Sequence, residues 1–258
     1  MNKALPQEKL LQWLVTAGAD ESIGDTPVNR FAVSEKPSFP PAVSDGQHHS
    51  QRNSFPPEKP ERQETFVSVP VQADSLEELK NILADCDKCP LKATATNMVF
   101  GAGNPQAKLM IIGEAPGAEE DRQGLPFVGA SGHLLDLMLK SIGLNRSEVY
   151  ITNILPWRPP GNRKPSEAEM ALLTPFVRRH IALINPHILL LLGGSAVSAL
   201  MNTNVGITKA RGHWMTYSDS SITVPVMASF HPAFLLRTPA QKKLAWRDFL
   251  AIKQKLGT

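Results

Sequence analysis

Four short apolar runs dominate the chain beyond residue 108: 109–113 (LMIIG), 149–152 (VYIT), 188–192 (ILLLL) and 224–229 (VPVMAS). Each is apolar at consecutive positions rather than at alternate ones. Odd and even side chains of a strand point to opposite faces, so such a strand has to be covered on both sides. Helical patterns separate the runs, near 131–142, 166–184 and 195–202, and a last one lies near 239–256. This alternation predicts an α/β domain with a largely parallel sheet, because parallel neighbours need crossover connections. An earlier helix begins after Ser75. There SLEELKNILADC places Glu78 three residues after a capping serine, with Leu76, Leu79, Ile82 and Leu83 on one face. The expected domain spans 75–258.

The preceding residues read differently. Leu10, Leu11, Trp13, Leu14 and Val15 predict one short helix within 1–20, ending near Gly18. Residues 21–74 are polar and punctuated by Pro37, Pro40, Pro41, Pro56, Pro57 and Pro60, a composition that predicts a disordered tether. The pair His48–His49 invites a metal reading, but a plain linker is the expectation there. The short helix is a candidate for docking on the domain or binding a protein partner.

Composition narrows the function classes. No run approaches the roughly 18 apolar residues of a membrane span, and no signal core follows the N-terminus. The only cysteines are Cys86 and Cys89, too few for a disulfide framework. A cytoplasmic protein is expected. The net charge of +3 is unevenly spread: residues 1–75 balance at −3 and the remainder at +6. A basic globular part permits a polyanionic partner such as DNA.

Sites in parallel α/β sheets gather at the carboxyl ends of strands. Three runs end there in polar residues. LMIIG leads into Glu114-Ala115-Pro116-Gly117, VYIT into Asn153, and VPVMAS through Phe230 into His231-Pro232. A carboxylate, an amide and an imidazole are therefore expected on one rim.

The same segments carry a specific resemblance. GEAPGAEEDRQGLPFVGASGHLLDLML resembles the first motif of the family 4 uracil-DNA glycosylases. ITNILPWRPPGNRKPSEAEM resembles the block that follows it, KARGH the Arg-Gly element, and SFHPAFLLR the His-Pro motif. The four blocks stand in the family's order over roughly 75–258. The resemblance implies a three-layer α/β/α domain with a central, mainly parallel sheet. It also implies a monomeric enzyme that hydrolyses the N-glycosidic bond of deoxyuridine in single- or double-stranded DNA, leaving an abasic site.

Roles follow from the matching positions. Gly113, Ala115, Pro116 and Gly117 match the turn that borders the base. Glu114 matches the motif carboxylate, expected to position water and favour the sugar cation. Glu120 and Asp121 are expected to orient the loop or cap the next helix rather than react. Phe127 matches the stacking aromatic for a flipped base. Asn153 matches the reader of the uracil edge, its amide offering one donor side and one acceptor side. His231 matches the donor to uracil O2, which supports the negative charge growing on the leaving base. Lys209, Arg211 and Arg237 are candidate phosphate contacts.

One departure concerns metal. The family holds a [4Fe–4S] cluster on four cysteines. Cys86 and Cys89 match the first pair, but Trp157 and Leu173 occupy the other two positions. An intact cluster is not expected, and no metal or redox cofactor is expected in the chemistry. The missing ligands motivate an alternative, a catalytically impaired DNA-binding member of the superfamily. The presence of Glu114, Phe127, Asn153 and His231 argues against it. A covalently trapping branch uses a histidine in a basic insert, and NILPWRPPGNRKPSE has neither.

Overall fold

The computed structural model describes residues 71–257. The expectations for residues 1–20 and for 21–70 lie outside the described residues. Within them, six strands form one mixed sheet: β1 (Ala102–Gly103), β2 (Leu109–Gly113), β3 (Val149–Asn153), β4 (Ile188–Leu192), β5 (Trp214–Ser218) and β6 (Thr223–Ser229). Their order is β1-β3-β2-β4-β6-β5. The four inner strands are parallel and correspond to the four apolar runs, while β1 and β5 pair antiparallel at the edges. Among the described residues no helix is long and apolar enough to cross a membrane.

The consecutive-apolar pattern explains the layering. Met110, Ile112, Leu189, Leu191, Val226 and Ala228 face one side. They pack there with α1 (Leu76–Ala84), α4 (Glu167–Ile184) and α5 (Gly194–Met201). Leu109, Ile111, Val149, Ile151, Leu190 and Leu192 face the other, against α3 (Ala130–Ser141) and α8 (Lys242–Leu256). The result is a helix–sheet–helix sandwich in which every inner strand is buried on both faces.

Local chemistry sets the helix starts. Ser75 caps α1 by accepting from the Glu78 amide at 3.1 Å. At α4, the Ser166 hydroxyl accepts from the Glu169 amide at 3.2 Å and the Glu169 carboxylate accepts from the Ser166 amide at 2.8 Å. Such a reciprocal cap is worth about 1 kcal/mol. The packed chain reaches back to Ala73, which is buried and whose carbonyl accepts from Arg179 Nε at 2.6 Å.

Two edge strands and three short helices were not legible in the sequence. β1 has two residues, one of them Gly103. β5 buries only Tyr217, so it lacks an apolar run. The helices α2 (Ala118–Gln123), α6 (Ile207–Ala210) and α7 (Pro232–Arg237) are too short to show a period.

Candidate active site

The chain leaves β2 toward β3 on one side, whereas β4 lies on the other side of β2 and leads onward to β6. Opposed connections open a crevice at the carboxyl ends of such strands. Gly113 and Asn153 are register partners there, so the last residues of β2 and β3 stand side by side. Glu114 follows directly, and β6 delivers His231 two residues after Ser229. Glu114, Pro116, Phe127, Asn153 and His231 line one cleft of about 420 Å³.

Gly113 makes the floor possible. A Cβ on it would stand 2.4 Å from Asn153 Oδ1 and 2.7 Å from Phe127 Cζ. The amide and the ring approach that closely only over a residue without a side chain.

Phe127 is buried and has a left-handed backbone, with φ +54°. That conformation costs an aromatic residue of order 1–3 kcal/mol and persists only when neighbours impose it. Arg146 does so, donating to the carbonyls of Pro126, at 3.1 Å, and Phe127. Asp136 holds Arg146 through its Nε at 2.6 Å. Gly132 leaves room for the Phe127 carbonyl, which a Cβ there would strike. Glu120 gathers the loop from the inside, accepting from the amides of Gly117 (3.1 Å), Val128 (2.9 Å) and Gly129 (2.9 Å). Asp121 accepts from the amides of Thr96 and Asn97 at 2.8 and 3.1 Å. Both carboxylates are buried loop organisers.

Asn153 is 4% exposed, and its Oδ1 has no hydrogen-bond partner among the described residues. A buried acceptor left unpaired costs about 1–3 kcal/mol, which a donor on a bound ligand would offset. His231 caps α7, and its Nδ1 lies 3.2 Å from the Ala233 amide nitrogen. A backbone N–H can only donate, so Nδ1 carries no proton and the neutral ring keeps its proton on Nε2. Burial pushes the imidazole down to about 4, with the positive charge of Arg237 adding to the effect and Glu120 opposing it. The ring stacks against Phe127, with centroids 5.4 Å apart and planes 29° from parallel. An aromatic wall, an unpaired amide oxygen, a neutral N–H donor and a carboxylate thus share one cleft.

The model of the uracil DNA glycosylase superfamily matches residues 100–250, a span that holds all of these groups. The chain belongs to the uracil-DNA glycosylase superfamily. It is 41% identical over 186 residues to the type-4 uracil-DNA glycosylase of Sulfurisphaera tokodaii, covering 70% of this chain and 84% of that protein. Identity to the type-4 enzyme of Archaeoglobus fulgidus is 38% over 188 residues, covering 71% and 94%. For that of Thermotoga maritima it is 40% over 166 residues, covering 62% and 85%.

Within this glycosylase domain the three expected phosphate contacts separate. Arg237 lines the cleft. Lys209 is exposed on α6 and does not line it. Arg211 is a correction: its side chain is 12% exposed and turned inward onto Asp248. Its Nε donates to Asp248 Oδ2 at 3.1 Å, and its other guanidinium donors reach Asp248 Oδ1 and, at 2.8 Å, the Leu244 carbonyl. Asp248 also accepts from Ser229 Oγ at 2.6 Å. Burial drives the Asp248 carboxyl up and the Arg211 contact pulls it down. Arg211 therefore braces the end of β6 that leads to His231 and is not a free cation for DNA. Conversely, Ser131, Asn162 and Arg163 line the cleft without having been singled out in the sequence. The signal was the glycine-proline turn PPGNRK, whose Gly161 and Asn162 both have positive φ.

The sequence resemblance sets Cys86, Cys89, Trp157 and Leu173 at the family's cluster positions. Cys89, Trp157 and Leu173 are buried in one core with Leu83, Leu91 and Val177, and Cys86 packs at its edge. Burial pushes the Cys89 thiol up. Two thiols, an indole and an isobutyl group do not supply four thiolate ligands, so the residues present do not fit a [4Fe–4S] cluster.

Proposed function

We infer that this chain is a monofunctional uracil-DNA glycosylase that releases uracil from DNA and leaves an abasic site, the opening step of base-excision repair. The single observation that carries the reading is the buried Oδ1 of Asn153, without a hydrogen-bond partner among the described residues, in the cleft that Phe127 also lines. Uracil offers N3–H as a donor beside O4 as an acceptor, which complements an amide. Cytosine offers the reverse pattern and is refused.

The reaction follows from the placement. The deoxyuridine leaves the stack and enters the cleft, where Phe127 stacks on the base and Asn153 reads its edge. As the C1′–N1 bond breaks, its electron pair goes to the uracil ring. The Nε2–H of His231 donates to uracil O2, where part of that charge collects. Glu114 orients the water that attacks C1′ and stabilises the positive charge on the sugar. Both groups act on charge that develops in the transition state, so they accelerate the step rather than tighten binding. Gly113, Ala115, Pro116 and Gly117 bring backbone close to the base, and Arg237 contacts phosphate. The protein works without an iron–sulfur cluster, a reading supported by the burial of Trp157 and Leu173 in the same apolar core as Cys89.

The test is incubation with a uracil-containing single strand, followed by detection of alkali-labile sites. Wild type should produce them at uracil alone. Asn153→Asp should excise uracil more slowly and gain some activity on cytosine, because a protonated carboxyl can present the pattern cytosine needs. Full uracil activity in Asn153→Asp would remove the residue from base reading.

A further inference from the structure

The cleft borrows a cation from the loop between β3 and α4. Arg163 lines the cleft beside Asn162, and its side chain is 46% exposed. Behind it lies Glu169, whose side chain is 6% exposed. The guanidinium meets both carboxylate oxygens, at 2.9 and 2.6 Å, and donates at 3.1 Å to the Lys164 carbonyl. This fork–fork contact fixes the plane of the guanidinium as well as its charge. Glu169 is itself immobilised by the Ser166 cap on α4. At the other end of the loop, Trp157 is sunk in the core. A flexible surface arginine would not need such an anchorage. A guanidinium has five N–H donors, so two on the carboxylate and one shared with a carbonyl leave donors for a further acceptor.

Resting on the glycosylase reading, we propose that Arg163 is a DNA-phosphate clasp, lining the same cleft as Arg237, and that Glu169 is its positioning residue. The ligand is a phosphate next to the extruded nucleotide. With Arg211 committed to Asp248, Arg163 and Arg237 are the arginines that line the cleft among the described residues.

The experiment measures binding of an oligonucleotide carrying 2′-fluoro-deoxyuridine, whose fluorine disfavours the sugar cation and blocks hydrolysis, across a salt series. Arg163→Gln should weaken binding about tenfold at low salt and make the salt dependence shallower by about one unit of slope. Arg163→Lys should restore the slope but not the full affinity, because a point charge lacks the fork. Glu169→Gln keeps the cation, so its slope should match wild type while Kd rises about threefold or more. Lys80→Gln, an exposed cation on α1, is the control. Arg163→Gln binding with the affinity and slope of Lys80→Gln would overturn the proposal. So would an unfolded Arg163→Gln accompanied by an Arg163→Lys of fully wild-type affinity. Failure of the glycosylase reading is separate: wild type would then release no uracil from natural substrate, whatever the salt slopes.

Discussion

An alanine at Gly113 would place its Cβ 2.4 Å from Asn153 Oδ1 and 2.7–2.8 Å from two carbons of the Phe127 ring. Ordinary contact begins near 3.4 Å, so the amide has to retreat by about 1 Å. The strand cannot yield instead, since β2 is paired on both sides by β3 and β4. A shift of about 1 Å in a positioning group can cost about 100-fold in rate. Gly113→Ala should therefore lower single-turnover uracil excision by about 100-fold. Overpacking of this kind costs about 1–3 kcal/mol. For a domain of this size that corresponds to a fall in Tm of roughly 3–10 °C. Affinity for undamaged DNA should hold within about twofold, because phosphate contacts lie outside the floor. Gly194→Ala is the control, because a Cβ there meets nothing closer than 3.9 Å. A Gly113→Ala enzyme excising uracil at the wild-type rate would show that the base does not rest on this floor.

His231→Ala should slow the chemical step roughly 100- to 1,000-fold and Glu114→Ala about 100-fold or more. Replacing uracil by 5-fluorouracil, a better leaving group, should rescue His231→Ala more than Glu114→Ala, and equal rescue in single-turnover rates would refute the division of labour. Burial lowers His180 to about 3, so the unfolded chain binds the extra proton between that value and about 6.5. Its contribution to stability is complete above about pH 6.5 and lost on acidification, by about 2 kcal/mol at about pH 5. His180→Gln should flatten the fall of Tm between those pH values, and an unchanged slope would remove His180 as the cause. A fragment beginning at residue 71 should fold and excise uracil, whereas one beginning at residue 76 should lose stability with Ala73, whose carbonyl holds Arg179, and with the Ser75 cap; equal melting of the two would contradict the packing at Ala73.

The inner sheet was legible because its strands carry apolar residues at consecutive positions, which calls for cover on both faces. Asn153, at the end of β3, and Glu114 and His231, just beyond β2 and β6, were legible from their places after the apolar runs. The edges were not, since β1 is two residues long and β5 hides only Tyr217. The cations were the least legible part. Arg211 and Arg163 look alike in sequence, and only the fold shows one facing the buried Asp248 and the other the cleft. The same holds for Phe127, whose left-handed backbone depends on Arg146, nineteen residues away.

We propose that the domain excises uracil without an iron–sulfur cluster, since Trp157 and Leu173 stand where the resemblance places two cluster ligands. One preparation tests it: purified protein assayed for iron per chain and, in the same fractions, for uracil released over many turnovers. The expected result is a colourless protein with less than about one iron per chain that turns over uracil-containing DNA. Activity confined to brown fractions with about four irons per chain would contradict it.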